Sequence, residues 1–201
     1  MVEIANTPIK ICSRASLLIG GNPISSFTDG SSEATVAGAM YEDIARAALT
    51  NCRWRFSTSQ AQLSRLTEAP TGRFDAAYQL PSDLMLLNAV TVNDFNIEYD
   101  TYGTKIYCDT SVNDVLVADY VFRADENIWP PYFIVAVEYT MAAVLATSVA
   151  RDGALAKMME EKANIQNCYL KFTLYGVWLL TLPCSVELFG VLYIYGFEVK
   201  I

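Results

Sequence analysis

The chain contains no histidine in 201 residues. That absence excludes Ser-His-Asp and Cys-His catalytic pairs and removes imidazole from any zinc site. Charge is also scarce, at 18% of residues, and unbalanced: 22 acidic against 14 basic side chains give a formal charge of −8 and a pI near 4.5. A surface of that average sign repels free nucleic acid, whose phosphates take their affinity from clustered lysine and arginine. The five cysteines, Cys12, Cys52, Cys108, Cys168 and Cys184, are odd in number and include no CxxC pair. They read as reduced, mostly buried small hydrophobes of a protein made in the cytoplasm. There is no GxGxxG and no P-loop, and Gly20-Gly21 closes a helix instead of opening one after a strand. The opening "MVEIANTPIK" has no basic flank before an apolar run, so no signal peptide is expected. A membrane span needs about eighteen uninterrupted apolar residues. The longest uncharged run near the end of the chain, Phe172 to Val186, stops at Glu187, so no span is expected there.

What the chain does have is hydrophobic mass, 53% of its residues. That suffices for one domain, or two small layers sharing a core, and is too much for disorder. "TPIKICSRASLLIGGNP" reads as a helix with Thr7 as N-cap, Pro8 in first position and a stop at Gly20-Gly21-Asn22-Pro23. After the turn-rich loop "NPISSFTDGSS", Ser32 opens a second helix, "EATVAGAMYEDIARAALTNCRW". Val36, Met40, Ile44 and Ala47/Ala48 form its apolar stripe. From Phe74 to Arg123 the period becomes two, and "AAYQL", "LMLLNAVTV", "FNIEY", "TKIYC" and "VLVADYVFR" read as five strands of an antiparallel meander. Asn93-Asp94 fits a tight hairpin turn, because both residue types tolerate positive φ. Pro130-Pro131 then starts a helix, Phe133 to Arg151, apolar on nearly every side and suited to the centre of a bundle. After Gly153, "ALAKMMEEKANIQNCYL" resumes a helix with a mixed surface. The last thirty residues, dense in Phe, Tyr, Leu, Val and Ile, read as two strands meeting near Pro183-Cys184.

Candidate chemistry is thin. In "NCRWRFSTSQAQL", Arg53 and Arg55 interleave with Trp54 and Phe56. Such a pattern suits either a base-stacking platform or the end of an amphipathic helix whose aromatics fill a core, and the acidic balance favours the core. Lys10, Arg14, Arg46, Arg53, Arg55, Arg65 and Arg73 make the first 75 residues the more basic part. Asp109, Asp114, Asp119, Asp125 and Glu126 form a loose acidic group without EF-hand spacing. A glycosidase needs only two carboxylates, and Glu42/Asp43 or Asp100/Asp109 are the pairs to nominate. No metal, no cofactor and no catalytic residue is expected.

The order of features carries more than any one of them. A short helix, a second helix ending in Trp54-x-Phe56, a Tyr78-x-Leu80-Pro81-x-Asp83 turn and a Trp129-Pro130-Pro131-x-Phe133 lead into an apolar helix follow one another. Over roughly Ile4 to Tyr169 the chain resembles the tail tubular protein A family, the head-to-tail adaptors of short-tailed bacteriophages. The resemblance implies an α+β fold: a helical bundle from residues 1–73 and 129–169, with two N-terminal helices and a long apolar C-terminal helix pair. It further implies an inserted antiparallel β-domain over 74–128, followed here by a strand-like apolar tail over 170–201. It implies no enzyme but a virion protein, assembled in the host cytoplasm as a ring of about twelve copies. The partners would be the portal and tail nozzle proteins, and DNA would pass through the ring unread. Trp54 and Phe56 would then be core aromatics, with Arg53 and Arg55 free for subunit contacts.

After Tyr169 the chain departs from the family, whose members continue with a polar tail. Three readings stand: a tail that docks by adding strands to a neighbour's sheet, a tail that packs back on its own subunit, or a change of reading frame. The first leads, which nominates Tyr169, Phe172, Tyr175, Trp178, Phe189, Tyr193, Tyr195 and Phe197, with Arg53 and Arg55, as interface residues. The rival functions are a virion-borne cell-wall glycan hydrolase and an acidic DNA-packaging protein.

Overall fold

The computed structural model describes residues 6–68 and 70–175, and gives the backbone alone for residues 166–175. Among the described residues, four α-helices and eight strands make an α+β fold. The helix starts follow local chemistry. In α1 (Pro8–Leu18) the Thr7 hydroxyl accepts the Lys10 N–H at 3.3 Å, satisfying one of the donors a helix N-terminus leaves open. In α2 (Ser32–Thr50), which Ser32 opens as the sequence suggested, the cap is Ser31, whose Oγ accepts the Ala34 N–H at 3.1 Å. Asp29 braces that cap by accepting from both the Ser31 hydroxyl and its N–H. Those bonds hold the Asp29 carboxyl down at about 2.

The hub of the helical layer is α3 (Pro131–Leu145), on which α1, α2 and α4 (Gly153–Tyr175) all pack. Phe133, Val137, Met141 and Leu145 repeat every four residues along α3 and are fully buried. The helix continues through a π-helical turn, Ala146–Ala150, and the chain reverses at Arg151, whose φ is +54°. Pro131–Ala150 is long and apolar enough to cross a membrane by length and composition. The core helix of a soluble fold has the same properties, so this stretch argues neither way.

Three expectations are corrected here. Neither an N-terminal helix bundle nor a long apolar helix pair is present: α1 and α2 each lie against α3 more than against each other, and among the described residues α3 alone is long and apolar. Its neighbour α4 buries Met159 and Ala163 while Lys157, Glu160, Glu161 and Lys162 stay exposed, so it is a one-sided helix. The strand-like reading of the tail also fails where the backbone is described, because residues 170–175 continue α4. Extending an existing helix adds one hydrogen bond per residue fixed, which outweighs the strand preference of Phe172, Thr173 and Tyr175.

The meander is the third correction. The strands divide into two antiparallel four-stranded sheets, ordered β1-β8-β4-β5 and β2-β3-β7-β6. The first holds β1 (Thr58–Gln62), β4 (Leu84–Val92), β5 (Phe95–Asn96) and β8 (Leu116–Phe122); the second holds β2 (Ser64–Arg65), β3 (Ala76–Gln79), β6 (Tyr99–Tyr102) and β7 (Lys105–Cys108). The run "FNIEY" is therefore split, with β5 pairing β4 and β6 pairing β7. The β4–β5 turn does use Asn93 and Asp94 at φ +49° and +67°, both in the left-handed region that this turn demands. Between the sheets, Leu63, Tyr78, Val90, Ile106, Leu116 and Ala118 form a core separate from that of the helices.

Candidate functional site

Residues 51–63 join the two layers. Past the end of α2, Trp54 is buried and its indole N–H donates to the Ala48 carbonyl at 2.9 Å. Its ring stacks on Phe56 at 6.0 Å, and Phe133 meets Trp54 and Phe56 edge-on at 5.2 and 5.0 Å. Trp129 stands perpendicular to Phe133 at 4.9 Å and donates its N–H to the Ala124 carbonyl. Edge-to-face geometry of this kind suits the ring quadrupoles. These aromatics form a core knot and not a platform for bases, as the sequence led one to expect.

Arg53 is not free: it forms an ion pair with Asp119 in the middle of β8. The Asp119 side chain is only 10% exposed, and its Oδ1 has no hydrogen-bond partner, so Arg53 is the cation that offsets part of the cost of burying that charge. Arg55 lies exposed in the short turn Arg55–Ser57. A second seam runs from Arg123, just past β8, to Glu42 on α2 at 3.1 Å and to Glu126 at 2.6 Å. Glu126 also accepts the Tyr41 hydroxyl at 3.0 Å. Hydrogen bonding from Arg123 lowers the Glu42 carboxyl from its ordinary value. Burial works against the Arg123 charge, yet Glu42 and Glu126 together carry its affinity for the proton upward. Burial and then the Glu126 charge raise the Tyr41 phenol. On α3, burial raises Glu138 despite its ion pair with Arg14.

The basic N-terminal part is therefore largely committed inside the molecule. Arg14, Arg46, Arg53 and Arg73 pair with Glu138, Glu42, Asp119 and Asp100, and Arg65 donates to the carbonyls of Thr110 and Asp75. Among the carboxylates, Glu42 is held by Arg46 and Arg123 on α2 while its neighbour Asp43 faces solvent. Asp100 and Asp109 do come together, with Glu98 and Arg73, around a polar cleft of about 510 Å³ on the second sheet. Asp100 is tied to Arg73 there, and Asp109 accepts the Asp75 N–H at 3.0 Å. The loose acidic group is dispersed: Asp119 and Glu126 sit in the two seams, and Asp114 accepts the Ser111 N–H within a turn. Among the described residues no cluster of three or more ligating side chains could hold a metal ion. The side chains of Tyr169, Phe172 and Tyr175, and all of Trp178, Phe189, Tyr193, Tyr195 and Phe197, lie outside the described residues.

A further concavity was not anticipated. It is a groove of about 1100 Å³ with α3 as floor and α2 and α4 as walls. Met40 and Ala47, expected to face the core, are exposed and line it instead, and Val36 lines it while packing in part on the helical core. No protein-family model and no curated protein matches this chain. The seams, by contrast, had a signal in the sequence. Asp119 in "VLVADYVF" and Glu138 in "FIVAVEYTM" are lone charges within apolar runs, and a charge placed there requires a buried partner.

Proposed function

We propose that this chain is a structural subunit, an adaptor in the neck of a short-tailed phage that assembles as a ring of about twelve copies between portal and nozzle. One observation carries the reading: the sequence pieces behind the family resemblance are the joints of the fold. Trp54, Phe56, Trp129 and Phe133, far apart in the chain, meet in one aromatic knot. The third piece behaves likewise, with Tyr78 bonded to Thr110 at 2.8 Å and Asp83 accepting the Tyr120 hydroxyl at 3.3 Å. Interfaces and not catalysis would do the work of such a subunit, and a net −8 per copy suits a channel along which DNA slides without sticking. A DNA-packaging role fits less well, since Arg14, Arg46, Arg53 and Arg73 of the basic N-terminal part are each paired with a carboxylate.

The test is the native mass and electron-microscope image of the full chain mixed with a portal protein. A ring of about twelve copies seated between portal and tail is the expected result. A lone monomer in the presence of portal refutes the adaptor role.

A further inference from the structure

We propose that the groove between α2, α3 and α4 is the seat of the chain's own residues 176–201. This seat is independent of the adaptor reading, and it selects, among the uses open to the tail, packing on the subunit that carries it.

The groove is chemically apolar beyond what its residue types suggest. Thr50, Thr140, Thr147 and Ser148 all line it, yet each hydroxyl donates back to a carbonyl of its own helix, at 2.7–3.2 Å. Their hydrogen bonds are thus already made, and the threonine methyls join Ala39, Ala47, Ala143, Val144, Ala156 and Ala163 in the lining. Glu160 is the one charged residue among the lining residues. At about 1100 Å³ the groove exceeds the roughly 300–1,000 Å³ typical of small-molecule sites, and it is an open trough. Small side chains on both walls let a polypeptide approach closely and leave room for its large side chains.

The occupant follows from chain continuity and composition. One wall is α4, and the chain leaves the described structure at the end of that same helix, at Tyr175. From Asn164, the last α4 residue in the lining, to Tyr175 is about 16 Å of helix axis, and residues 176–201 reach about 85 Å when extended. Return to the groove is therefore well within reach. Those residues, "GVWLLTLPCSVELFGVLYIYGFEVKI", carry charge only at Glu187, Glu198 and Lys200. An apolar segment tethered this close meets the groove at a high effective concentration that no free partner matches. Seating it buries the apolar lining of the groove against the apolar side chains of the segment.

The full chain supplies its own probes. Met40 lines the groove and Met158 does not, while the two are 38% and 42% exposed. With the segment seated, peroxide oxidises Met40 about tenfold more slowly than Met158, independently of protein concentration. Equal rates overturn the proposal. The location is checked with Ala47→Cys in the groove wall and Val112→Cys on the β7–β8 loop as control, each oxidised mildly against native Cys184 in otherwise full-length protein. A disulfide within one chain, formed by A47C and not by V112C, is expected. A link between two chains places a second copy in the groove and overturns the proposal, as does equal linking at both positions. Neither measurement depends on ring formation, so failure here leaves the adaptor reading standing, and loss of the ring leaves the seat standing.

Discussion

Replacing Phe133 with alanine strikes the joint between the helical layer and the incoming chain. The side chain is fully buried and touches Trp54, Phe56 and Trp129 with ring centroids at 5.2, 5.0 and 4.9 Å. Truncating a buried phenylalanine costs about 3–5 kcal/mol in transfer and cavity terms. Each aromatic contact adds about 0.5–1.5 kcal/mol beyond area, but the two sums overlap, so F133A is expected to lose about 4–5 kcal/mol. In a chain of this size each kcal/mol shifts the melting midpoint by about 2–4 °C. The expected fall is therefore roughly 8–20 °C. Urea unfolding followed by near-ultraviolet circular dichroism reads the same loss, because Trp54 and Trp129 report the knot directly. F133L keeps most of the volume and should cost less than about 1.5 kcal/mol. A loss below about 2 kcal/mol for F133A would refute the reasoning: the knot would then be a peripheral contact and not the joint described here.

Two further perturbations address the seams. Arg53→Ala leaves the Asp119 carboxylate buried without its cation and should cost about 2–3 kcal/mol, discounted for the half-exposed arginine. Arg53→Ala/Asp119→Ala should recover more than half of that loss in a double-mutant cycle, and no recovery would show the pair to be uncoupled. The Glu42 seam predicts a pH dependence. Because the folded state depresses this carboxyl below its ordinary 4.5, the unfolded chain takes up the proton first as pH falls. The stability contributed by Glu42 is thus complete above about pH 5 and is lost as pH falls through the folded value. Glu42→Gln should flatten that acid limb by about 0.5–1 kcal/mol, given the exposure of the carboxylate. An unchanged pH–stability curve would exclude a role for the seam.

The parts of the fold legible in the sequence are those decided within a few residues. Thr7 and Pro8 specify a helix start by side-chain and ring geometry alone. Asn93 and Asp94 specify a turn because few other residues accept positive φ twice in succession. The face of α2 that turns inward is less local. Its alanine-rich sequence offers two weak stripes: Ala37, Tyr41, Ala45 and Leu49 are buried, while Met40 and Ala47 are left in the groove. Contact with α3 made that choice, since a helix with a shallow apolar contrast takes its orientation from its neighbour. Strands β1 and β2, in the polar run "TSQAQLSR", gave no alternating signal and exist because β8 and β3 offer them an edge.

By itself, then, the sequence determined where helices begin, where the chain turns and that a substantial core would form, because capping, φ preference and hydrophobic mass are properties of short stretches. It also excluded histidine chemistry outright. Only the tertiary structure decided that five apparent strands belong to two sheets and that the arginines of the N-terminal part answer to Asp119, Glu138, Glu42 and Asp100. It also decided that α2, α3 and α4 frame an apolar trough. Strand partners and ion pairs join residues tens of positions apart, and their free energy depends on distances that no local pattern encodes.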